Sequence, residues 1–253
     1  MARYQIILAY DGTGFLGSQR QASSRTVQSE LEKALRKLGW QGRTIYLAGR
    51  TDTGTHASGQ VAAFDLDWLH GLQKLQDALN ANLPRDMAVR DVQAAADHFH
   101  PRFDARSRCY RYRLFCAGVR DPLRERYAWR VWPPVAELAA LAQIWPGRHD
   151  FAAFGSPPHA GGSTVRTVLS AAWQQQADEW FFEIRADAFL YRMVRRLVYA
   201  QVAAGQARLT AETLRQALDD PSEAGQMARS QIPASLSPAS GLTLVDVRYD
   251  NFV

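Results

Sequence analysis

The chain has 253 residues, of which 47% are hydrophobic and 22% charged, a balance that supports a full core and excludes a disordered polypeptide. This length fits one or two domains. The apolar run after Met1 is shorter than a secretion signal requires, and no apolar stretch reaches the roughly 18 residues of a membrane helix. We therefore expect a cytoplasmic protein with no membrane partner.

The basic residues are mostly arginines, and many lie in one segment. The formal net charge is +5, and only three of the 30 basic residues are lysines. Between Arg102 and Arg130, nine arginines stand against three acidic residues. Arginine binds phosphate in a bidentate manner, and aromatic rings stack on bases. The interleaved aromatic residues therefore favour a nucleic-acid surface over a solvated face: Tyr110, Tyr112, Phe115 and Tyr127.

Neither the cysteines nor the histidines form a recognisable metal-binding pattern. Cys109 and Cys116 are seven residues apart, which fits neither a zinc pair nor a disulfide framework, so we expect reduced thiols. His98 and His100 would share one face of a strand, but no cysteine or carboxylate stands at a metal-ligand spacing from them. The sequence therefore predicts no metal.

In the first part of the chain, the predicted elements follow the order βαββαβ. Apolar residues recur with a helical period from Val27 to Leu38, with Thr26 as the N-cap and Gly39 as the stop. The Asn80 to Pro84 break ends a second helix. The predicted elements are strands at 4–10, 44–48, 60–66 and 87–92 and helices at 27–38 and 72–79.

That order is typical of a ferredoxin-like unit, in which helices cover one face of an antiparallel sheet and the other face is free for RNA. The second part approximately repeats it, with strands at 109–115, 165–173, 180–186 and 242–249 and helices at 135–144, 189–204 and 211–218. We predict an α+β protein with two ferredoxin-like halves, 1–98 and 99–253. The sheets of the two halves are expected to join around a central basic cleft.

The densest polar cluster runs from Gly49 to His56 and connects two predicted strands. Glycines at both ends permit backbone geometry closed to other residues, and Asp52 lies among hydrogen-bond donors that keep a carboxylate ionised. A capped turn with a side-chain hydrogen bond explains the same composition. The residues alone leave both interpretations open.

The cluster Gly49-Arg50-Thr51-Asp52-Thr53-Gly54-Thr55-His56 resembles the G-R-T-D-x-G-x-H motif of the tRNA pseudouridine synthase A family, which isomerises uridine without a cofactor. The similarity extends along nearly the whole chain, in five motifs. These further segments match in order: Tyr10-Asp11-Gly12 with Gln19-Arg20-Gln21 and Val27-Gln28, Arg108 to Tyr112, Phe189 to Arg195, and Ser237 to Leu242.

The chain also departs from the family pattern at a few positions. Ser18 stands where the family usually has tryptophan, and Ser237 stands where it usually has alanine. Ala57 and Ser58 occupy positions where small residues or glycine are usual. None of these changes removes a reactive group. The Ser18 change concerns the first loop, residues 11–26 between the first predicted strand and helix. It affects the packing beneath that loop and the rigidity of the loop.

The resemblance implies roles for several residues. Asp52 would be the catalytic carboxylate, Arg195 would pair with it and hold it ionised, and Tyr110 would stack on the target base and accept the C5 proton. Arg50 would help to flip the nucleotide out of its stack. Solvated, phosphate-binding or half-buried structural roles are the alternatives for Arg195 and Tyr110.

Other residues are assigned to substrate binding or to structure. Leu242 and Met193 resemble apolar pocket walls, with core packing equally compatible. Arg108 and Arg111 are candidates for contact with the RNA backbone. His56 fits a structural hydrogen-bonding role better than that of an acid or base.

The resemblance further implies the substrate and the assembly. The expected reaction is uridine to pseudouridine at positions 38, 39 and 40 in the anticodon stem and loop of tRNA, by a homodimer with one tRNA spanning both subunits. A non-catalytic RNA-binding module and a pseudouridine synthase for another RNA are the rivals. The presence of Asp52 argues against the non-catalytic RNA-binding module, because a passive binder gains nothing from a carboxylate that faces phosphates.

Overall fold

The computed structural model describes residues 1–250. Their secondary structure is mixed, so the predicted α+β class is confirmed. The chain divides into two compact units. One comprises Met1–Arg108 and the chain from Thr243 onward, and the other comprises Cys109–Leu242. No helix of the described residues has the length and apolar character needed to span a membrane.

The first unit contains the predicted βαββαβ order. Strand β1 lies between β3 and β4 and is antiparallel to both, and β2 pairs antiparallel with β3. The predicted strand at 44–48 shortens to two residues, whereas the next one begins four residues earlier than predicted. The elements are β1 (Ala2–Tyr10), α1 (Val27–Lys37), β2 (Tyr46–Leu47), β3 (His56–Leu66), α2 (Leu72–Asn82) and β4 (Met87–Ala94).

Helix α1 forms as its sequence pattern predicts. The Thr26 side chain accepts from the Ser29 N–H, and the Ser29 side chain accepts from the Thr26 N–H, so both ends of a capping box are present. The buried face of the helix carries apolar side chains at positions 27, 31, 34 and 35. Gly39 adopts a φ of +90° just past the last turn, as a helix stop requires.

The second unit is built on the strand order β5–β9–β8–β7, with β6 parallel to β5. Strand β5 begins in the first unit. Strands β7, β8 and β9 form antiparallel pairs. The elements are β5 (Ala105–Cys116), β6 (Trp129–Val131), α3 (Leu138–Ala142), β7 (Gly147–Asp150), β8 (Val165–Gln176), β9 (Glu179–Ala186), α4 (Met193–Gly205), α5 (Ala211–Asp219) and α6 (Glu223–Gln231).

Two predicted helices are shorter in the structure. The helix predicted at 135–144 forms only over Leu138–Ala142. The helix predicted from Phe189 begins at Met193 instead, because Tyr191 pairs with Ser156 in an isolated β-bridge and Arg192 adopts a left-handed φ of +62°. The prediction also missed β6, β7 and α6. All three are short, and their sequences carry a weak periodic signal.

The last strand, β10 (Leu242–Tyr249), has the predicted bounds. From Thr243 onward it belongs to the first unit, because Thr243 and Leu244 pair in parallel with His56 and Ala57 of β3. Gly59 permits this close approach, since a Cβ there would lie 2.3 Å from the carbonyl oxygen of Val245. The strand thus supports β3 next to the Gly49 to His56 loop.

Candidate active site

In the first unit, the loop around Asp52 is held by hydrogen bonds on both sides of the aspartate. The Gln60 side chain donates to the Gly49 carbonyl oxygen at 2.9 Å and accepts from the Gly49 N–H at 3.3 Å. Thr51 is buried, and its hydroxyl lies 2.8 Å from the Tyr10 hydroxyl. Burial raises the pKa of Tyr10, so this phenol stays neutral at physiological pH.

A tight turn follows Asp52. The Thr55 N–H donates to the Asp52 carbonyl oxygen at 3.0 Å, and Gly54 has a φ of +78° at the third position of the turn. This is the position at which a type II turn requires a glycine. The Gly54 N–H also donates to the Phe15 carbonyl oxygen at 3.4 Å. The glycine at position 54 is therefore explained by the backbone that it must adopt.

The burial of three successive residues indicates which side chains face outward. Arg50 is exposed, Thr51 is buried and Asp52 is partly buried. In an extended segment, residues two apart point to the same side. This alternation is the burial pattern that an extended segment would show, and the buried Thr51 anchors the loop from beneath.

His56 has a structural position. It is only 6% exposed, and its Nδ1 accepts from the Gly12 N–H at 2.9 Å. Gly12 itself lies so close to the turn that a Cβ there would be 2.1 Å from the carbonyl oxygen of Thr55. The contact joins the first loop of the chain to the loop that carries Asp52.

An ion pair fixes the opposite end of the first loop. Arg25 binds both carboxylate oxygens of Asp86, at 2.8 and 2.7 Å, and its guanidinium carbon lies 4.1 Å from the centre of the Phe15 ring. This hydrogen bonding to Arg25 holds the pKa of Asp86 below its usual range. The pair therefore stabilises the folded state most when Asp86 is ionised.

We expect Asp86→Asn to lower the free energy of unfolding at pH 7 by at most about 1 kcal/mol, since both partners are partly exposed and solvent screens the pair. Because the pKa of Asp86 is lower in the folded state, the ion pair adds stability at pH values above the pKa of the unfolded state. That stability is lost as the pH falls through the pKa of the folded state. The difference in free energy of unfolding between Asp86→Asn and wild type should therefore become smaller below about pH 4. Urea unfolding across this range measures it, and a constant difference would contradict the assignment.

Arg108 does not present its whole guanidinium to solvent. Its Nε and one terminal nitrogen donate to the Ala48 carbonyl oxygen at 3.0 and 2.9 Å, and that terminal nitrogen also donates to the Arg102 carbonyl oxygen at 2.6 Å. The side chain thus holds the end of the segment that leads to Asp52. This bracing contact was not predicted.

The histidine pair is not arranged as a metal site. The His100 ring lies between Tyr46 and Phe103, with ring centres 4.7 and 4.2 Å away, and its Nδ1 accepts from the N–H groups of Arg102 and Phe103. Burial lowers the pKa of His100, which favours the neutral ring that can accept them. Among residues 1–250, no group of three potential metal ligands occurs.

In the second unit, Tyr110 lies in β5 and is only 7% exposed. Its ring packs edge-to-face against Phe189, with ring centres 5.0 Å apart. Met193 and Leu242 are buried as well. These apolar side chains therefore belong to the interior, as the core-packing alternative requires, and this position is equally compatible with a pocket wall.

Arg195 lies in the first turn of α4 and is linked to Ser237 in both directions. The Arg195 Nε donates to the Ser237 carbonyl oxygen at 2.8 Å, while the N–H and hydroxyl of Ser237 donate to the Arg195 carbonyl oxygen at 3.3 and 3.1 Å. Ser237 is fully buried. The side chain of Arg195 is consequently oriented by a loop that is 42 residues away in sequence.

The arginine-rich segment carries less unpaired charge than its composition predicts. Arg111 pairs with Glu183 at 2.5 Å and Arg113 with Glu179 at 2.8 Å. Acidic residues outside the segment, which the charge count did not include, supply several of the partners. The following arginines of the segment form ion pairs with described carboxylates: Arg106, Arg111, Arg113, Arg120, Arg124 and Arg130.

Comparison with known proteins identifies the class. The family model described as tRNA pseudouridine synthase matches residues 6–104 and 141–250. A tRNA pseudouridine synthase A of Chloroflexus aurantiacus is 42% identical, covering 98% of this chain and 89% of the relative. The enzyme of the same name from Streptococcus equi subsp. equi is 35% identical, covering 99% of this chain and 100% of the relative. That from Rhodospirillum rubrum is 37% identical, covering 98% of this chain and 88% of the relative.

These matches define an RNA-modifying isomerase. More narrowly, the chain belongs to the tRNA pseudouridine synthase family. The recognition made from the sequence motifs is thereby confirmed. The sequence motifs did not reveal the contacts of Ser237 and Arg108, because each joins segments that are distant along the chain.

Proposed function

We propose that this chain converts uridine to pseudouridine at positions 38, 39 and 40 in the anticodon stem and loop of tRNA, with Asp52 as the catalytic carboxylate. The observation that carries the proposal is the loop of Asp52. It presents a partly buried carboxylate beside an exposed arginine, on a backbone held at Gly49, Thr51 and Thr55. Such preorganisation is costly to build into a loop that has no chemical task.

The chemistry needs a single carboxylate and no cofactor. The reaction breaks the C1′–N1 bond, turns the uracil and joins C1′ to C5; the C5 hydrogen leaves as a proton and N1 gains one. A carboxylate can attack C1′, attack C6, or take a proton from the sugar to form a glycal. All three routes begin from an ionised Asp52 aimed at the flipped nucleotide.

The target base must leave its stack before any of these routes can start. Unstacking costs a few kcal/mol, which contacts to phosphate and to the base must offset. The exposed Arg50, two residues before Asp52, is the proposed flipping residue. Tyr110 is the proposed stacking partner and acceptor of the C5 proton, and Met193 and Leu242 are proposed as apolar walls.

The fold and assembly complete the proposal. The βαββαβ order of the first unit, with strand order β4–β1–β3–β2, supports one ferredoxin-like half. In the second unit the succession β5, α3, β8, β9 and α4 supports another, and β10 follows it along the chain. The family resemblance supports a cytoplasmic homodimer in which one tRNA spans both subunits.

Tritium release tests the function. Unmodified tRNA transcripts that carry [5-³H]uridine at only one of positions 38, 39 and 40 are incubated with the protein, and the modified position is mapped. We expect release from each transcript. A transcript with uridine at none of these positions is the control. Equal release from the control, whose labelled uridines all lie elsewhere, would support the rival, a synthase for another RNA site.

Arg195→Met tests the role proposed for Arg195 in stabilising the ionised carboxylate. Methionine keeps much of the apolar stem but loses the charge, so we expect turnover to fall about tenfold to a hundredfold with tRNA affinity nearly unchanged. Single-turnover rates and filter binding measure the two quantities. Equal losses in both would instead make Arg195 a phosphate contact.

Arg111→Gln tests the proposed backbone contact. Each phosphate contact that is lost should make the slope of log affinity against log salt shallower by about 0.7 to 0.9. Arg215→Gln is a matched control, because Arg215 is also exposed and ion-paired but lies on α5. An unchanged slope for Arg111→Gln would place this residue away from the RNA.

A further inference from the structure

Ser18 makes two hydrogen bonds to the residue that precedes Asp52. The Ser18 N–H donates to the Thr51 carbonyl oxygen at 3.1 Å, and the Ser18 Oγ accepts from the Thr51 N–H at 2.8 Å. Both peptide groups that flank the Thr51 Cα are therefore held by one residue. The second of these peptide groups also contains the N–H of Asp52.

Ser18 is itself fixed by helix α1. Its carbonyl oxygen accepts from the Gln28 N–H at 2.9 Å, and the carbonyl oxygen of Gly17 accepts from the Val27 N–H at 3.3 Å. The Ser18 residue is completely buried. Ser18 thus connects the first turn of α1 to the Asp52 loop, and a rigid helix is the kind of support that a catalytic group needs.

The Ser18 hydroxyl has a task that a purely apolar side chain cannot perform. Thr51 is only 7% exposed, and a buried N–H that loses its acceptor is not compensated by bulk water. Without the hydroxyl, the Thr51 peptide must rotate or move to find another acceptor. Such movement shifts the backbone on which the Asp52 side chain stands.

Hydrogen bonds fix the backbone on both the amino-terminal and the carboxyl-terminal side of Asp52. The carboxyl-terminal side keeps the Thr55 to Asp52 turn bond and the Gly54 to Phe15 bond, neither of which involves Ser18. The amino-terminal side is held at Thr51 by Ser18 and by the Tyr10 hydroxyl, and further back at Gly49 by the Gln60 side chain. Loss of the Ser18 hydroxyl should therefore misdirect the carboxylate without unfolding the loop.

We propose that Ser18 is a positioning residue for Asp52, which it orients through the Thr51 peptide. This inference rests on the proposed function, in which Asp52 is the catalytic carboxylate. Ser18 does not touch substrate in this scheme. Its removal is expected to slow the chemical step and to leave tRNA binding unchanged.

The experiment compares Ser18→Ala, Ser29→Ala, Asp52→Asn and wild type in the intact protein. Ser29→Ala is the matched control, because it removes the buttressing hydroxyl of the α1 capping box without touching Thr51. For each variant, single-turnover tritium release from [5-³H]uridine tRNA, the tRNA dissociation constant and the urea midpoint are measured.

We expect Ser18→Ala to lower the single-turnover rate at least tenfold, with a dissociation constant within twofold of wild type. Ser29→Ala should shift the urea midpoint in the same direction while keeping the rate within twofold. A wild-type rate in Ser18→Ala, or an equal rate loss in both serine variants, would overturn the positioning role. Failure of the proposed function is recognised separately, by no release from wild type or by undiminished release from Asp52→Asn.

Discussion

Asp52→Asn is expected to lower turnover on tRNA by at least about a thousandfold while tRNA affinity stays within about twofold. Asparagine keeps the size and the hydrogen-bonding oxygen of the side chain. Its amide, however, has neither the nucleophilicity nor the basicity that each of the three routes requires. The loop should keep its shape, because the bonds of Thr55 to the Asp52 backbone, of Ser18 to Thr51 and of Gln60 to Gly49 do not involve the carboxylate.

Tritium release under single-turnover conditions measures this loss, and filter binding measures affinity. Asp65→Asn is the matched control, since Asp65 is a carboxylate of the same unit that pairs with Arg3 on the adjacent strand. We expect this control to keep activity within about threefold of wild type. Retention of most activity in Asp52→Asn would remove the carboxylate from the mechanism, whatever the result for RNA binding.

Gly12→Ala is expected to damage both stability and catalysis. A Cβ at this position would lie 2.1 Å from the carbonyl oxygen and 2.4 Å from the carbonyl carbon of Thr55. Both are backbone atoms, so no side-chain rotation relieves the overlap. The chain must separate there, which strains the Gly12 to His56 hydrogen bond and the turn after Asp52.

We expect the free energy of unfolding of Gly12→Ala to fall by at least about 2 kcal/mol. Turnover of the folded fraction should fall about a hundredfold, because a displacement of about 1 Å at the reacting groups costs that much. Urea unfolding and single-turnover rates measure the two effects. Gly118→Ala is the control, as a Cβ there makes only ordinary contacts, at 3.6 Å or more, with the Trp132 ring.

The first loop is thus as important to the site as the motif that contains Asp52. Gly12, Phe15 and Ser18 all contact the Thr51 to His56 segment. At Ser18 the chain departs from the family's usual tryptophan, and the structure places a hydrogen-bond acceptor there. The departure therefore changes how the loop is supported, through hydrogen bonds that the sequence comparison did not reveal.

Ser237 makes a similar contribution in the second unit. It stands where the family usually has alanine, and its hydroxyl donates to the Arg195 carbonyl oxygen at 3.1 Å. The other two bonds between these residues, from the Arg195 Nε to the Ser237 carbonyl oxygen and from the Ser237 N–H to the Arg195 carbonyl oxygen, do not depend on that hydroxyl. The serine adds a third bond to a contact that alanine would also make.

Elements with strong local signals were predicted well. The period of α1, its N-cap and its stop lie within the 14 consecutive positions from Thr26 to Gly39, so its bounds followed from the sequence. The βαββαβ order of the first unit and the bounds of β10 were also predicted. The Gly49 to His56 motif is also local, and its family resemblance identified the candidate carboxylate. Neighbouring residues interact whatever the remainder of the chain does.

The tertiary structure decided everything that joins distant positions. It moved the start of α4 to Met193 through a bridge to Ser156, returned β10 to the first unit, and paired Arg111 with Glu183, 72 residues away. It also brought Ser18 to Thr51, 33 residues away. The sequence by itself determined the family and the candidate carboxylate, whereas the hydrogen bonds that support it depend on distances that only the folded chain sets.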